Sequence, residues 1–378
     1  MRIACIVFQS GTYTEVQREA ETYRTKFREM GHGFDILFST KAALLDLGAF
    51  VSEKPSYIEG RYESRILVDG AANHNPALAA GTGKWINSNY DAVLFIGLCP
   101  YPTRSYGTEP HWLELYKAIK IPKIGKIVDT MPGTDWPKLA MAELDSVYYS
   151  QPAYVGDDTG AKILPTPFLI PSPGTPGLKT MNRSVIWSGG WNRVDGVVEF
   201  IHEIPKIAKH SDVSLVGIGS QYFRQRNKAH WKAAVGNDSY EELNGTGPAT
   251  FHGASPSPGD TLGMYSAWAA VDLVGIGRNV DDSFTNFQGE YTTSMIEALY
   301  KGTWPVVSEQ CALHSPIPKG FLRRAVVEQG DLSGVIKTID TPLSGTALGV
   351  SAREWVTDTH SADLGVHTLL DDIEGLRS

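Results

Sequence analysis

The stretch GEYTTSMIEALYKGTWPVVSE, residues 289 to 309, runs a helix-forming segment, TSMIEALYKG, straight into a short apolar run, WPVVSE. A helix feeding a buried strand is half of a βαβ unit, and a chain built from such units folds around parallel sheets. One residue resists a purely structural reading. Glu297 places a carboxylate inside what is otherwise helix core.

The same rhythm extends outward through most of the chain. RIACIVF (2 to 8), FDILF (34 to 38), AVLFIGL (92 to 98) and KIGKIVD (123 to 129) are expected strands of the N-terminal half. SVIWSGG (184 to 190), VSLVGIG (213 to 219), ATFHG (249 to 253), AVDLVGIG (270 to 277) and WPVVSE (304 to 309) continue the pattern in the second half. Helix-length segments separate them. The first, TEVQREAETYRTKFREM, carries a capping-box spacing at Thr14 and Gln17 and a glycine stop at Gly31 and Gly33.

Between the halves, ILPTPFLIPSPGTPG (163 to 177) holds Pro165, Pro167, Pro171, Pro173 and Pro176. Proline removes a backbone donor and fixes φ, so this piece reads as a connector that continues neither sheet nor helix. The expected architecture is α/β: two Rossmann-like, doubly wound domains facing a cleft, spanning residues 1–170 and 171–345. The segment 346–378 looks helical, carries no further strand and could pack back across the first domain.

Composition agrees with that layout and removes several function classes. A length of 378 residues is too great for one ordinary core and suits two domains, or one large α/β unit. With 42% hydrophobic and 20% charged residues the chain is globular rather than disordered. The formal net charge of -8 supplies no general attraction to polyanions, so any nucleic-acid contact has to come from a local basic patch. Cys5, Cys99 and Cys311 are odd in number and sit in apolar segments, which suits buried thiols in a reducing cytoplasm rather than a disulfide framework or a zinc site. The start MRIACIVFQSG lacks the regions of a signal peptide, and no apolar run is long enough for a membrane span.

Several positions could carry chemistry, and each has a structural alternative. Glu297 lies on a helix that follows a strand-end loop, where open α/β folds place ligands, and a carboxylate there can accept both hydroxyls of a ribose or a sugar. Ser294 and Glu297 also have the spacing of a capping box, which would spend the carboxylate on the helix's own backbone. Gly189 and Gly190 in SGGWNR, and Gly219 in VGIGS, follow strands and let backbone amides approach a diphosphate beside Arg193, or else simply make tight turns. Neither turn has the G-x-G-x-x-G spacing of a dinucleotide site, which counts against a nicotinamide oxidoreductase.

In the first domain Gly11 lies in the loop after the first strand, where a helix N-terminus can meet an anionic group. Asp129 ends the strand KIGKIVD, so it either takes a proton from an attacking hydroxyl or shapes its loop as an Asx-turn. In HGASP the backbone of His252, Gly253 and Ala254 could hydrogen-bond a base, whereas the His252 side chain is more simply read as a satisfied loop histidine. The chain has no Asp-x-Asp pair, so no metal ligand set is visible.

Taken together these segments resemble glycosyltransferases of the GT-B fold. The helix, small-residue turn and Pro-Val-Val strand of 289 to 309 carry the strongest likeness. Many retaining members have two glutamates eight apart; Glu297 matches the second, Gly289 stands at the first and Glu290 is one place off. A closer likeness is to the inverting β-glucosyltransferases of T-even bacteriophages, which transfer glucose from UDP-glucose to hydroxymethylcytosine in DNA. VDTMPGTDWP is similar to the segment that ends in the family's catalytic base, which implies that role for Asp129. VIWSGGWNR is similar to the Gly-Gly turn with its diphosphate arginine, here Arg193; FHGASP to the uracil loop; and SMIEAL to the helix whose glutamate, here Glu297, holds the ribose. The family's two further arginines are missing: Gly196 or Val197 stands at one place and Ser294 at the other, with Arg278 as a substitute.

The resemblance implies a UDP-sugar-dependent transferase that works by a single inverting displacement. Modified phage DNA would be its acceptor and the host cytoplasm its setting. It implies no tightly bound cofactor, and a divalent ion (Mg or Mn) is allowed without being required. The competing expectations are a small-molecule, lipid or wall-polymer acceptor and a non-catalytic nucleotide-sugar-binding module.

Overall fold

Apolar β-branched runs become parallel strands where helices can cover both faces. A computed structural model of the protein describes residues 1–7, 15–39, 64–67, 76–98, 113–128, 136–155, 160–170, 182–187, 196–216, 229, 232–233, 250–252, 267–273, 291–325 and 331–378. Two units emerge, Met1–Leu169 with His360–Ser378, and Ile170–Thr359.

The first unit is built on β1 (Arg2–Val7), β2 (Gly33–Ser39), β3 (Ser64–Leu67), β4 (Ala92–Ile96), β5 (Lys123–Ile127), β6 (Ser146–Tyr149) and β7 (Lys162–Ile163). They lie in the order β3-β2-β1-β4-β5-β6-β7, and every pairing is parallel. Cys5 in β1 faces Ile36 of β2 on one side and Leu94 of β4 on the other. The helices α1 (Glu15–Glu29), α2 (Pro76–Asn89), α3 (Leu113–Ala118) and α4 (Trp136–Met141) connect the strands. Phe27 of α1 stacks on Phe34 of β2 with ring centroids 4.9 Å apart.

The stop expected after α1 is present. Gly31 has φ +81°, its N–H donates to Arg28 O, and His32 N–H reaches back to Phe27 O, the pairing of a Schellman motif. Gly33 serves a different purpose, since it begins β2 at a place where a Cβ would meet Arg2 Cγ at 2.9 Å. The expected cap at Thr14 lies outside the described residues.

The second unit holds β8 (Asn182–Trp187), β9 (Asp212–Val216), β10 (Thr250–His252), β11 (Ala267–Asp272), β12 (Trp304–Ser308) and β13 (Arg323–Ala325). Their order is β10-β9-β8-β11-β12-β13, again with parallel pairing throughout. Its helices are α5 (Val197–Ile207), α6 (Thr293–Lys301), α7 (Glu309–His314), α8 (Asp331–Lys337) and α9 (Ala347–His360). The last helix, α10 (Ala362–Arg377), belongs to the first unit, where Val366, Leu369, Leu370 and Ile373 enter the same core as Tyr23 and Phe27.

Each strand read from sequence is present over part of its expected range, and β3, β6, β7 and β13 are additions. Ile163 belongs to β7, so the connector begins later than its sequence suggested. Phe168 within it is tied to the chain's return: its N–H donates to His360 O at 2.6 Å, and its O accepts from Ala362 N–H at 3.0 Å. Cys5 and Cys311 are buried and not in a disulfide, and Cys99 lies outside the described residues.

Candidate functional site

Parallel pairing sets the carboxyl ends of all strands of a sheet on one edge, and a crevice opens where the strand order reverses. In the second unit that reversal lies between β8 and β11. Trp187 ends β8 opposite Val271, and the next residue, Asp272, ends β11. Both are withdrawn from solvent, at 0% and 1% exposure. The chain then returns to this edge as α6, the helix that carries Glu297.

The geometry of α6 excludes the capping-box alternative for Glu297. The helix is capped by Thr292, whose side-chain oxygen accepts from Met295 N–H, and not by Ser294. Glu297 therefore stands on the fifth helical residue, beyond the third position at which a capping-box carboxylate folds back. It is 2% exposed, on a helix that otherwise buries Met295, Ile296, Ala298 and Leu299. Thr292 itself donates its hydroxyl to Asp272 Oδ2 at 2.5 Å, joining the end of β11 to the start of α6.

The far end of α6 is equally defined. Gly302 has φ +82°, its N–H reaches Leu299 O, and Thr303 N–H reaches Ala298 O, so the helix stops on a Schellman motif before β12 begins. Burial pushes the Tyr291 phenol well above its ordinary range, so this neighbour of the cap stays neutral. Burial, aided by the charge of Arg353, lowers the Lys301 ammonium.

Of the other residues singled out from sequence, His252 is the last residue of β10, where it faces Val216 in parallel register. Asp129, Gly11, Gly189, Gly190, Arg193, Gly219, Gly253, Ala254 and Arg278 lie outside the described residues. The two positions compared above with a family arginine, Gly196 and Val197, are both buried. Gly196 adopts φ +79°, and a Cβ there would lie 2.5 Å from Leu273 Cβ, while Val197 is wholly buried. Sequence reasoning missed Asp272 and Thr292, although a carboxylate closing the apolar run AWAAVD was a signal that could have found the first.

In the first unit the reversal lies between β1 and β4. The neighbouring strand β5, which leads toward Asp129, carries a buried ammonium. Lys126 is fully enclosed, ion-paired with Glu19 of α1, and donates to Pro165 O at 3.1 Å. Burial lowers its pKa, and the Glu19 carboxylate opposes that shift. Close by in the chain's return, His360 Nδ1 donates to Thr166 O at 3.1 Å, and burial lowers this imidazole to about 4.

Among the described residues no group of three or more His, Cys, Asp or Glu is placed to hold a metal ion, and no helix is long and apolar enough to cross a membrane.

No family model matches the chain, and no curated protein matches it. The fold is nevertheless defined: two parallel-sheet α/β units in the GT-B class. An alpha-glucosyltransferase in complex with UDP and a 13-mer DNA containing a central A:G mismatch is similar, with TM-score 0.68 and 13% identity over 99% of this chain and 100% of that one. Anabaena HepE in complex with UDP and glucose gives TM-score 0.64 and 13% identity, covering 99% and 100% of the two chains. AviGT4, a glycosyltransferase involved in avilamycin A biosynthesis, gives 0.58 and 14%, covering 100% and 98%.

Proposed function

We propose that the protein is a glycosyltransferase that moves a sugar from a UDP-sugar to a hydroxyl acceptor, with a hydroxymethylated pyrimidine in DNA as that acceptor. The observation that carries this reading is the likeness in fold, over 99% of the chain, to a glucosyltransferase bound to UDP and DNA. A buried glutamate kept out of its own helix cap, at the strand edge where such folds bind nucleotides, supports it.

In this reading Glu297 accepts the two ribose hydroxyls and the backbone of His252, Gly253 and Ala254 meets the uracil. Gly189, Gly190 and Arg193 hold the diphosphate, and Gly11, Gly219 and Arg278 complete the donor contacts. The acceptor oxygen attacks the anomeric carbon as the bond from that carbon to the diphosphate oxygen breaks. Asp129 takes the hydroxyl proton, and UDP leaves with the bonding electrons, its charge met by Arg193 and backbone amides. One displacement inverts the anomeric centre, in keeping with Gly289 where a retaining enzyme would carry glutamate. No tightly bound cofactor takes part, and a divalent ion enters only if chelation slows turnover. The setting is cytoplasmic, that of the host if a phage encodes the chain.

Two observations favour variants of this reading. Likeness to alpha-glucosyltransferases favours retention, which the anomeric proton coupling in the product distinguishes from inversion. Likeness to AviGT4, together with the net charge of -8, favours a small-molecule, lipid or wall-polymer acceptor. The test is mass spectrometry of nucleosides from hydroxymethylcytosine and hydroxymethyluracil DNA incubated with UDP-sugars, with released UDP assayed in parallel. A hexose mass gain on one base supports the DNA reading. UDP release that is insensitive to salt and needs no DNA transfers weight to the other acceptors. Donor bound but never consumed makes the protein a binding module.

A further inference from the structure

Three hydroxyl residues in a row, Thr292, Thr293 and Ser294, precede the apolar part of α6, and each is of a type that caps helices well. Which of them caps decides what becomes of Glu297. If Ser294 were the cap, Glu297 would occupy the third helical position, and its carboxylate would fold back onto the Ser294 amide as a capping box. With Thr292 as the cap, Glu297 lies two positions further along and outside that box.

What distinguishes Thr292 is Asp272, twenty residues earlier in the chain. Its carboxylate is buried at the end of β11, at the strand-order reversal, and it accepts a hydrogen bond from the Thr292 hydroxyl. A hydroxyl donating to a carboxylate makes a charge-assisted bond, about twice as strong as a neutral one. With its proton directed at Asp272, the same oxygen offers a lone pair to Met295 N–H.

We infer that Asp272 is a positioning residue of the donor site: by fixing Thr292 as the cap of α6 it keeps Glu297 out of a capping box, at the helical position from which it takes a nucleotide ribose. This rests on the reading of Glu297 given above and deepens it. Asp272 touches no ligand in this scheme. Its effect passes through the choice of cap, so the consequence of losing it is a slip of the helix start to Ser294.

The test is calorimetric UDP binding to the full chain, with thermal midpoints recorded alongside. Thr292→Val should weaken UDP binding about tenfold or more, the scale of a lost hydrogen bond to a charged group. Thr292→Ser, which keeps the hydroxyl, should bind as the parent does, and the isosteric Asp272→Asn should weaken binding in the same direction as Thr292→Val. The decisive variant is Thr292→Val/Ser294→Ala. Removing the competing cap should recover donor affinity although it removes a second hydroxyl, a result that general destabilisation cannot give. Thr292→Val binding UDP like the parent, or a double variant no better than the single, overturns the inference. Glu297→Ala binding UDP unchanged overturns the ribose assignment as well, so the two failures are told apart.

Discussion

Lys126 of β5 and Glu19 of α1 form an ion pair from which solvent is excluded, both side chains being at most 3% exposed. Lys126 also lies over the Tyr23 ring and donates to Pro165 O, so one ammonium fastens the central sheet to a helix and to the start of the connector. Removing one partner of such a pair leaves an uncompensated buried charge, whereas replacing both with apolar residues is often neutral. Glu19→Ala should therefore destabilise the first unit by about 3–5 kcal/mol. The double variant Glu19→Met/Lys126→Met should recover most of that loss in urea unfolding. A single variant as stable as the parent would show that the pair holds nothing together.

His360 makes stability depend on pH. Its folded value, about 4, lies below the ordinary histidine value of 6.5, so the fold prefers the neutral ring. Above the ordinary value both folded and unfolded chains are neutral and the contribution is complete. As pH falls toward about 4 the unfolded chain takes up a proton that the folded chain refuses, and roughly 3 kcal/mol is lost. His360→Asn, which keeps a donor for Thr166 O without titrating, should lose stability less steeply between these values in unfolding midpoints measured across pH.

Gly302 and Gly345 share the left-handed region, with φ +82° and +81°, but differ in surroundings. A Cβ at Gly302 would meet Ser344 Cα at 2.7 Å and N at 2.8 Å, whereas nothing lies within 4 Å at Gly345. Gly345→Ala should cost only the left-handed strain, about 1–2 kcal/mol. Gly302→Ala adds an overpacking term against backbone and should cost about 2–5 kcal/mol in total. Equal thermal shifts for the two variants would contradict the contact.

The roles assigned to Asp129 and Glu297 separate in kinetics. Asp129→Asn should lower turnover about 10²–10⁴-fold while leaving UDP affinity intact, as expected for loss of a general base. Glu297→Ala should instead weaken UDP binding about 10- to 100-fold, the scale of a lost charged hydrogen bond. Weakened donor binding in the first variant, or unchanged binding in the second, would reverse the assignments.

The alternation of strand and helix was legible in the sequence because a strand buried on both faces must be apolar nearly throughout, and AVLFI, RIACIV after its exposed Arg2 and WPVVS up to Ser308 are. The glycine stop at Gly31 was legible for a similarly local reason, since a left-handed residue after a helix calls for glycine. The strands SRIL, SVYY, KI and RRA were not. They are two to four residues long and partly polar, and their conformation comes from the strand beside them.

At the candidate site, the order of residues along the chain was enough to put a glutamate inside a core helix and to supply three adjacent residues able to cap that helix. The choice among the three came from the packed fold. Thr292, Thr293 and Ser294 are nearly equivalent to local chemistry, and the decision fell to the buried carboxylate of Asp272, which strand order and parallel register bring to Thr292 from twenty residues away. A pattern in the chain states what each segment prefers. A hydrogen bond between residues far apart in the chain depends on where two segments meet, and that is fixed by the packing of the whole sheet.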